Sequence, residues 1–556
     1  MYRQAVRGLS ETQSRKHLRP DIQGLRGIAV LVIVLYHIDV PLPGGFTALD
    51  IFFVISGFVI TQSLLHKIRR DGTIGLKQFY LGRVRRLLPA LGVMLTVVLL
   101  ASLFLLPIGA QGIAARTGAA ASIANANNYL IFFGISGYFD APATLNPLLH
   151  TWSLSAEEQF YLIYPALLLI GWSVGRNLRS GSERMMAVVL LAVGVLSFAL
   201  SLVAGLNILG DDADAALLSR FNYYSAFTRA WEFAAGALLA LSPWLTTRTG
   251  PLKKFLGPIG LALLLSGLFF VQSSNPYPGV LALLPVLGTA LLILLGSTDQ
   301  GNPISRCLSL KPLTFLGYVS YSWYLWHWPF IVFANIFWPG SMLWALAAAI
   351  LSLGVAWLSV VAIENPFRFR PNPSTRSTLG ILGIVVGASM GAAVLLEGAH
   401  RYLRSTPEIV PFAMHVDSQT GCDSPERLSD KPDHCTWNVD RGRGRAVLLG
   451  DSNAGHFTEG FVAGMNKAGF NASVATMSSC PFIDLSLSEA PVPDLLQRVQ
   501  SPECRDFVQN TVKDLLKNPP EIAMISTSVD SWVETPLSDG ADYSSGRTSR
   551  DAWASA

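Results

Sequence analysis

Charge is scarce in this sequence. Only 14% of its 556 residues are Asp, Glu, Lys or Arg, against about 25% in soluble globular domains, while 51% fall in the hydrophobic set and the mean hydropathy is +0.41. That excludes a soluble enzyme. Neither sign of charge dominates: 41 Lys and Arg oppose 37 Asp and Glu, and a net charge of +4 is too small for a general nucleic-acid footprint, so no nucleic-acid partner is expected. Five cysteines are too few for a disulfide scaffold. The first 26 residues hold no apolar stretch of the kind a cleavable signal peptide needs, so the first apolar run reads as an uncleaved anchor. No internal repeat or low-complexity tract stands out either; the Pro and Ser stretch from Pro371 to Ser377 reads as an ordinary inner loop.

Long apolar runs are what the chain has in abundance. From residue 27 to about 396 they alternate with short basic loops; beyond that the sequence turns polar and carries four of the five cysteines. A hydrocarbon core of about 30 Å needs about 20 mostly apolar helical residues. On that criterion spans are expected near 27–44, 47–66, 88–107, 152–174, 185–207, 227–245, 254–272, 279–296, 313–337, 341–363 and 378–396. The fold class is therefore a polytopic all-α membrane domain of about ten or eleven transmembrane helices, followed by a smaller α/β domain. The expected divisions are a cytoplasmic arm (1–26), a membrane domain (27–370), an inner loop with one more span (371–400) and an extracytoplasmic domain (401–556).

Lys and Arg accumulate in loops that stay on the cytoplasmic side. The basic loops all fall on one side: the N-terminal arm (Arg3, Arg7, Arg15, Lys16, Arg19, Arg26), the stretch from Lys67 to Arg86, and the loops with Arg176 and Arg184, Arg248 and Lys254, Arg306 and Lys311, and Arg368 and Arg370. The opposite loops hold few, chiefly Arg116 and Arg220, and the segment from Leu206 to Ala216 is acidic. Eleven spans with a cytoplasmic N-terminus place the last domain outside. The Ala-rich stretch 113–138 is ambiguous between a twelfth span, which would reverse that side, and an external or re-entrant segment. Cysteine placement agrees with eleven: Cys307 is alone on the inner side, while Cys422, Cys435, Cys480 and Cys504 fall outside, where disulfides persist. Four cysteines allow three connectivities; proximity favours Cys422 with Cys435 and Cys480 with Cys504.

Ionisable residues within a membrane are costly and tend to have a task. Arg26 and His37 are 11 residues apart, within about 20° of whole helical turns, so they share one stripe about 16 Å apart, one at the cytoplasmic mouth and the other near mid-membrane. An anchoring arginine and a hydrogen-bonded histidine would also explain the pair. Arg83 and Arg86 in Gly82-Arg83-Val84-Arg85-Arg86 share a helix face and form a fork of guanidinium donors suited to phosphate oxygens, although such clusters also serve topology and headgroup contact. Asp50, Glu157 and Glu158, Glu232 beside Trp231, and Glu364 before Asn365-Pro366 suggest a polar cavity. The run Tyr321-Ser322-Trp323-Tyr324-Leu325-Trp326-His327-Trp328-Pro329 fits either an interfacial aromatic belt or the lining of that cavity.

These motifs, Arg26-x10-His37, Asp50-Ile51-Phe52-Phe53-Val54-Ile55-Ser56-Gly57-Phe58, the arginine run ending at Pro89, Trp152-Ser153-Leu154 with Glu157, Tyr324-Leu325-Trp326-His327 and Glu364-Asn365-Pro366, resemble integral-membrane acyltransferase family 3, in its order over residues 18 to 370. The resemblance implies transfer of an acyl group, usually acetyl, from cytoplasmic acyl-CoA to a glycan or lipid outside the bacterial inner membrane. It makes Arg26 and His37 the catalytic candidates and Arg83 and Arg86 the acyl-CoA contacts, with Asp50, Trp152, Glu157, Glu232, His327 and Glu364 as cavity candidates. Acetyl-CoA is the expected donor, and no metal is expected. His37 would act as general base or as a transient acyl carrier, and Arg26 would orient the donor or balance oxyanion charge. A multi-span transporter and an extracellular esterase on a passive anchor are the rival readings.

Past the membrane domain, Arg445-Ala446-Val447-Leu448-Leu449-Gly450 reads as a buried strand running into Asp451-Ser452-Asn453-Ala454-Gly455-His456 and a helix through Asn466. This puts a hydroxyl at a helix N-terminus, where backbone N–H groups stabilise an oxyanion; a helix-capping serine is the plainer alternative. Gly450-Asp451-Ser452 with His456 resembles the first block of SGNH-type esterases and acyltransferases, domains of which are often fused behind family-3 membrane domains. The late Asp-x-x-His of that family, which supplies the base, has no match: His456 is the sole histidine after Ser452. Ser452 is thus a candidate nucleophile without an assigned base, and the polar end of the chain, including Ser544 to Arg550, suggests an incomplete domain.

Overall fold

A computed structural model describes residues 19–73, 75–134, 143–178, 181–206, 215–242, 253–370, 374–405, 415–478, 480–482 and 501–527. Arg3, Arg7, Arg15, Lys16, Arg248, the acidic residues of 207–214 and the stretch Ser544 to Arg550 lie outside the described residues. Two compact units divide the chain, 1–401 and 402–556.

The first unit is helical. In order come α1 (Pro20–His37), α2 (Ala48–Asp71), α3 (Leu76–Leu105), α4 (Ile108–Ser122), α5 (Ala126–Phe133), α6 (Thr151–Asn177), α7 (Ser182–Gly205), α8 (Ala215–Tyr224), α9 (Ala226–Leu241), α10 (Lys253–Phe270), α11 (Leu283–Thr298), α12 (Pro303–Leu308), α13 (Lys311–Phe337), α14 (Met342–Ser359) and α15 (Thr375–Arg404). A helix stands at each of the eleven expected spans. Six segments, 45–71, 76–105, 182–205, 280–298, 342–368 and 375–403, are long and apolar enough to cross a membrane on length and hydropathy alone. The others include α1, α6 and α13, which carry the polar residues of the candidate site, and the shorter α9 and α10.

Several boundaries differ from expectation. Pro20 at the first turn presets the helical φ, so α1 begins at Pro20 instead of 27, with Asp21 gripped by Arg19 at 2.7 Å. It ends at His37, short of 44: Asp39 adopts a left-handed φ of 59°, and Pro41 and Pro43 supply no N–H to continue the ladder. His37 therefore sits in the last turn of its helix, not midway along a span as the expected 27–44 boundaries put it. Helix α3 starts at Leu76, far ahead of 88, so Arg83 and Arg86 lie within it and not in a preceding loop. The ambiguous stretch 113–138 contains α4 and α5, of 15 and 8 residues, separated by Ala124 at a left-handed φ of 55°; neither reaches the roughly 20 residues of a full span. Helix α15 continues past 400 to Arg404.

Two helix pairs pack backbone to backbone through glycines, as small residues permit in membrane helices. A Cβ at Gly27 would lie 2.2 Å from the Leu313 carbonyl oxygen and one at Gly317 would lie 1.8 Å from that of Gln23, so α1 and α13 meet without intervening side chains. Gly57 and Gly236 do the same for α2 and α9, each Cβ position falling 1.9 Å from a facing carbonyl. These contacts set Arg26 and His37 beside the aromatic run of α13, and Asp50 beside α9. The bundle has two ends. At one, Arg19 donates to the Ile293 carbonyl and Arg69 bonds Glu183, joining the start of α1, the last half of α11, the end of α2 and the start of α7. At the other end are His37, the end of α7, the α8–α9 junction and the loop after α10, where the Asn222 amide donates to the Tyr277 carbonyl at 3.4 Å.

The second unit holds a four-stranded sheet of order β1-β3-β2-β4, formed by β1 (Thr436–Trp437), β2 (Arg445–Gly450), β3 (Asn471–Thr476) and β4 (Ile522–Ser526). Strands β3, β2 and β4 are parallel; β1 is an antiparallel edge. Helix α16 (Val416–Thr420) precedes the sheet, α17 (Ser452–Lys467) follows β2, and α18 (Pro502–Lys517) precedes β4. Disulfides join Cys422 to Cys435 and Cys480 to Cys504, with Cα atoms 5.6 and 5.5 Å apart; Cys307 is free.

Candidate active site

Arg26 of α1 and Arg83 and Arg86 of α3 line one cavity with Ser56, Glu157 and Tyr161. The Arg83 guanidinium lies 3.8 Å from the centre of the Tyr161 ring, a cation–π contact that fixes its plane. Glu157 accepts from the hydroxyls of Ser56 and Tyr161. Three guanidiniums facing a single carboxylate leave the lining net positive, as an anionic ligand requires. The cavity encloses about 90 Å³, the share of roughly three liquid waters. It is a slot: only a slender part of a ligand enters between the arginines. Ser153 and Tyr324 close it, joined hydroxyl to hydroxyl at 2.6 Å.

Tyr324 also walls a cluster of imidazoles. Its ring centre is 5.3 Å from that of His327, and His327 stacks on His37 with ring centres 5.2 Å apart and planes 13° from parallel. His37 Nδ1 lies 3.0 Å from His327 Nε2, while His327 Nδ1 lies 2.7 Å from the Tyr324 carbonyl and 3.1 Å from that of Trp323. A carbonyl accepts only, so Nδ1 of His327 carries the proton. With both rings neutral, His327 Nε2 is then an acceptor, His37 Nδ1 is the donor, and the free lone pair of His37 is on Nε2. Trp328 packs 4.6 Å from the His37 ring, and His150, whose Nε2 is 3.1 Å from the Leu325 carbonyl, closes the cluster on the far side of His327.

The carboxylates do not form one cavity. Glu157 alone lines the slot. Asp50 and Glu232 are fully buried around Arg229, whose Nη1 donates to Asp50 at 3.1 Å and to Glu232 at 3.0 Å, while Nε donates to the Tyr223 carbonyl at 3.1 Å. The Tyr277 hydroxyl donates to Asp50, and Trp152 lies over the same guanidinium at 5.8 Å. Glu364 is buried between α13 and the π-helical turn Val360–Glu364 and accepts from Ser322. The expectation of a shared polar cavity for Asp50, Trp152, Glu232, His327 and Glu364 is thus corrected: none of them lines the slot, Asp50, Glu232 and Trp152 gather around Arg229, which neutralises the buried carboxylates where they stand, His327 pairs with His37, and Glu364 bonds Ser322. Arg229 and His150 went unremarked in the sequence. Arg229 was findable as a cation three residues ahead of Glu232 in an apolar stretch.

In the α/β unit, Gly450 turns β2 into α17 at a φ of 147°, where a Cβ would strike the Ser526 carbonyl oxygen at 1.8 Å. Asp451 caps α17, accepting from the Asn453 amide and the Thr527 hydroxyl, each at 2.8 Å. Ser452 is the buried first residue of the helix, at the carboxyl end of a central strand whose neighbours lie on opposite sides, the place where open α/β sheets bind ligands. Among the described residues its hydroxyl donates to no imidazole. The His456 ring, exposed on α17, instead packs 4.1 Å from His415, a histidine that precedes the serine. Partial desolvation against its neighbours, then His415, holds the His456 imidazole below its ordinary range, and burial raises the Asp417 carboxyl, whose Oδ1 has no hydrogen-bond partner among the described residues. The pattern Cys422, His434 and Cys435 holds metal-ligand types within reach of one another, but the two sulfurs form a disulfide and offer no thiolate.

Residues 19–361 match the family model of an acyltransferase domain, and residues 421–554 match that of an SGNH domain fused to AT3 domains. Among curated proteins, the peptidoglycan O-acetyltransferase OatA of Listeria monocytogenes is 33% identical over 370 residues, covering 64% of this chain and 56% of that protein. The O-acetyltransferase OatA of Staphylococcus aureus is 29% identical over 407 residues, covering 70% of this chain and 64% of its own length. The chain thus spans less than two thirds of each. No solved structure matches it significantly. With the acyltransferase model spanning more than half of the sequence, from the arginine–histidine helix onward, and the SGNH model spanning Gly450-Asp451-Ser452, this chain belongs to acyltransferase family 3 and carries a fused SGNH domain.

Proposed function

We propose that this chain is an O-acyltransferase of the bacterial inner membrane. It takes an acyl group, acetyl first, from cytoplasmic acyl-CoA to a hydroxyl of an extracytoplasmic glycan or glycolipid. The N-terminus is cytoplasmic and the SGNH domain periplasmic, as the basic loops and the external disulfides favour. The observation that carries the reading is the arginine slot closing on Tyr324, whose ring adjoins the His327–His37 pair. The anionic diphosphate and ribose phosphate suit Arg83 and Arg86 at the slot mouth. The narrow pantetheine arm suits the small volume beyond them, and the thioester reaches His37 past Tyr324.

At that point the acceptor oxygen bonds to the acyl carbon, the carbon–sulfur bond breaks, His37 Nε2 takes the hydroxyl proton and the departing thiolate receives it. The same lone pair would serve if the acyl group first rested on the imidazole. Peptidoglycan, the polymer in the Listeria relative's name, is the first acceptor to examine; lipopolysaccharide O-antigen is the second. Mass spectrometry of both glycans with and without the gene tests the proposal. An acetyl increment should track the gene and vanish in a His37→Ala strain. Unchanged glycan masses, or intact acetyl-CoA in membranes that move solute, would replace it with the transporter reading.

A further inference from the structure

At the bundle end opposite the arginine slot, a larger cavity of about 500 Å³ opens between the end of α1, the α8–α9 junction and the loop after α10. That volume lies within the roughly 300–1,000 Å³ of small-molecule sites. Its chemistry differs from that of the slot. Among the described residues, Tyr36, Tyr223, Tyr224 and Tyr277 supply ring faces and hydroxyls, Asn222 an amide and Arg220 the one cation, and no carboxylate lines it. A phosphate ligand would need more than one cation, and the Arg220 guanidinium already donates to the Ile131 carbonyl at 3.1 Å. A cationic ligand would need an acid in the wall; among the described residues Asp50 is held by Arg229 and Tyr277, and neither it nor Asp39, three residues past Tyr36, is part of the lining. A simple acyl chain would offer no partner to the Tyr36, Tyr223 and Tyr224 hydroxyls. The ligand class that uses both ring faces and neutral hydrogen-bonding groups is a sugar ring, with apolar C–H faces and a hydroxyl rim.

The wall is also held in place before any ligand arrives. Tyr277 is tied to the buried Asp50, the Tyr223 carbonyl to Arg229, and Asn222 to the Ser201 hydroxyl at 3.0 Å and the Tyr277 carbonyl. Such a rigid shell lowers the ordering cost of binding. The cavity reaches the chemistry through Tyr36, which precedes His37 in the chain and whose ring centre is 5.5 Å from the imidazole.

We propose that this tyrosine-walled cavity is the acceptor subsite: it binds one sugar ring of the glycan and presents its hydroxyl to His37 from the side opposite the thioester. The inference rests on the acyl-transfer reading. It assigns the two substrates to opposite ends of α1, phosphate-bearing donor at Arg26 and sugar at Tyr36.

The test uses the full-length chain, expressed in a strain lacking the gene, with Ser274→Trp, which places an indole at the exposed rim of the cavity, and Tyr224→Ala, which removes one ring. Acetylation of the host glycan is read by mass spectrometry, and affinity for coenzyme A is measured on the same purified variants. Both substitutions should lower the glycan increment at least tenfold while coenzyme A affinity stays within twofold. If a variant loses coenzyme A affinity as well, Tyr36→Phe, which deletes one hydroxyl, decides and should lower the increment at least threefold. Wild-type increments in the variants overturn the acceptor subsite and leave the transfer reading standing. No increment in the wild-type strain overturns the transfer reading, and the subsite with it.

Discussion

His37 and Ser452 are the two groups proposed to hold or pass an acyl group, and their surroundings differ in kind. His37 is stacked on His327, bonded through Nδ1 and left with one free lone pair, an orientation fixed by backbone carbonyls of α13. Ser452 has the position of a nucleophile, buried at a helix N-terminus beside a glycine turn, but its hydroxyl reaches no imidazole among the described residues. The difference teaches that a reactive side chain is readied by its second partner. In the helical unit that partner comes from a distant helix through glycine contacts; in the α/β unit the nearby histidines, His456 and His415, pack on each other.

The sharpest way to break this comparison is to remove each group in turn. His37→Ala should lower acetyl-CoA turnover by membranes about 10³-fold, the range of general acid–base catalysis, whereas Ser452→Ala should lower it less than about threefold. Equal losses would mean that the serine, not the imidazole, meets the thioester.

The partner is the next target. His327→Ala removes the acceptor for His37 Nδ1–H and frees the tautomer, and a 10- to 100-fold fall in turnover is expected, by analogy with the loss when an orienting partner of a histidine is removed. His327→Asn, which can still accept, should recover a large part of it, and the alanine variant should show a displaced pH–rate profile. A purely structural role for His327 would leave the profile where it was. The smallest effect belongs to the slot: Arg83→Lys keeps the charge but loses the planar fork and the contact on Tyr161, so the KM for acetyl-CoA should rise about three- to tenfold with little change in kcat.

Much of this was legible in the residues, and the boundary is physical. Arg26 and His37 lie on one helix, so a period of 3.6 suffices to align them. Strand, glycine and serine around Ser452 are contiguous and equally readable. His327, by contrast, lies 290 positions from His37, and Asp50 lies 179 from Arg229; no local period relates residues that meet only when Gly27 packs on Gly317 or Gly57 on Gly236. The early end of α1 is signalled by Pro41 and Pro43, which interrupt a run that hydropathy alone continues to 44. His415 precedes Ser452, on the side of the serine where the SGNH pattern places no base.

The central claim is that donor and imidazole meet: a thioester gripped by the arginines of the slot arrives at His37 Nε2. A structure of the full-length chain with a non-hydrolysable thioether analogue of acetyl-CoA measures this directly. The account predicts phosphates against Arg83 and Arg86, the arm past Tyr324 and the acyl carbon about 3.5 Å from Nε2. Phosphates bound elsewhere, or an acyl group that stops short of His37 with Tyr324 still closed between them, would contradict it.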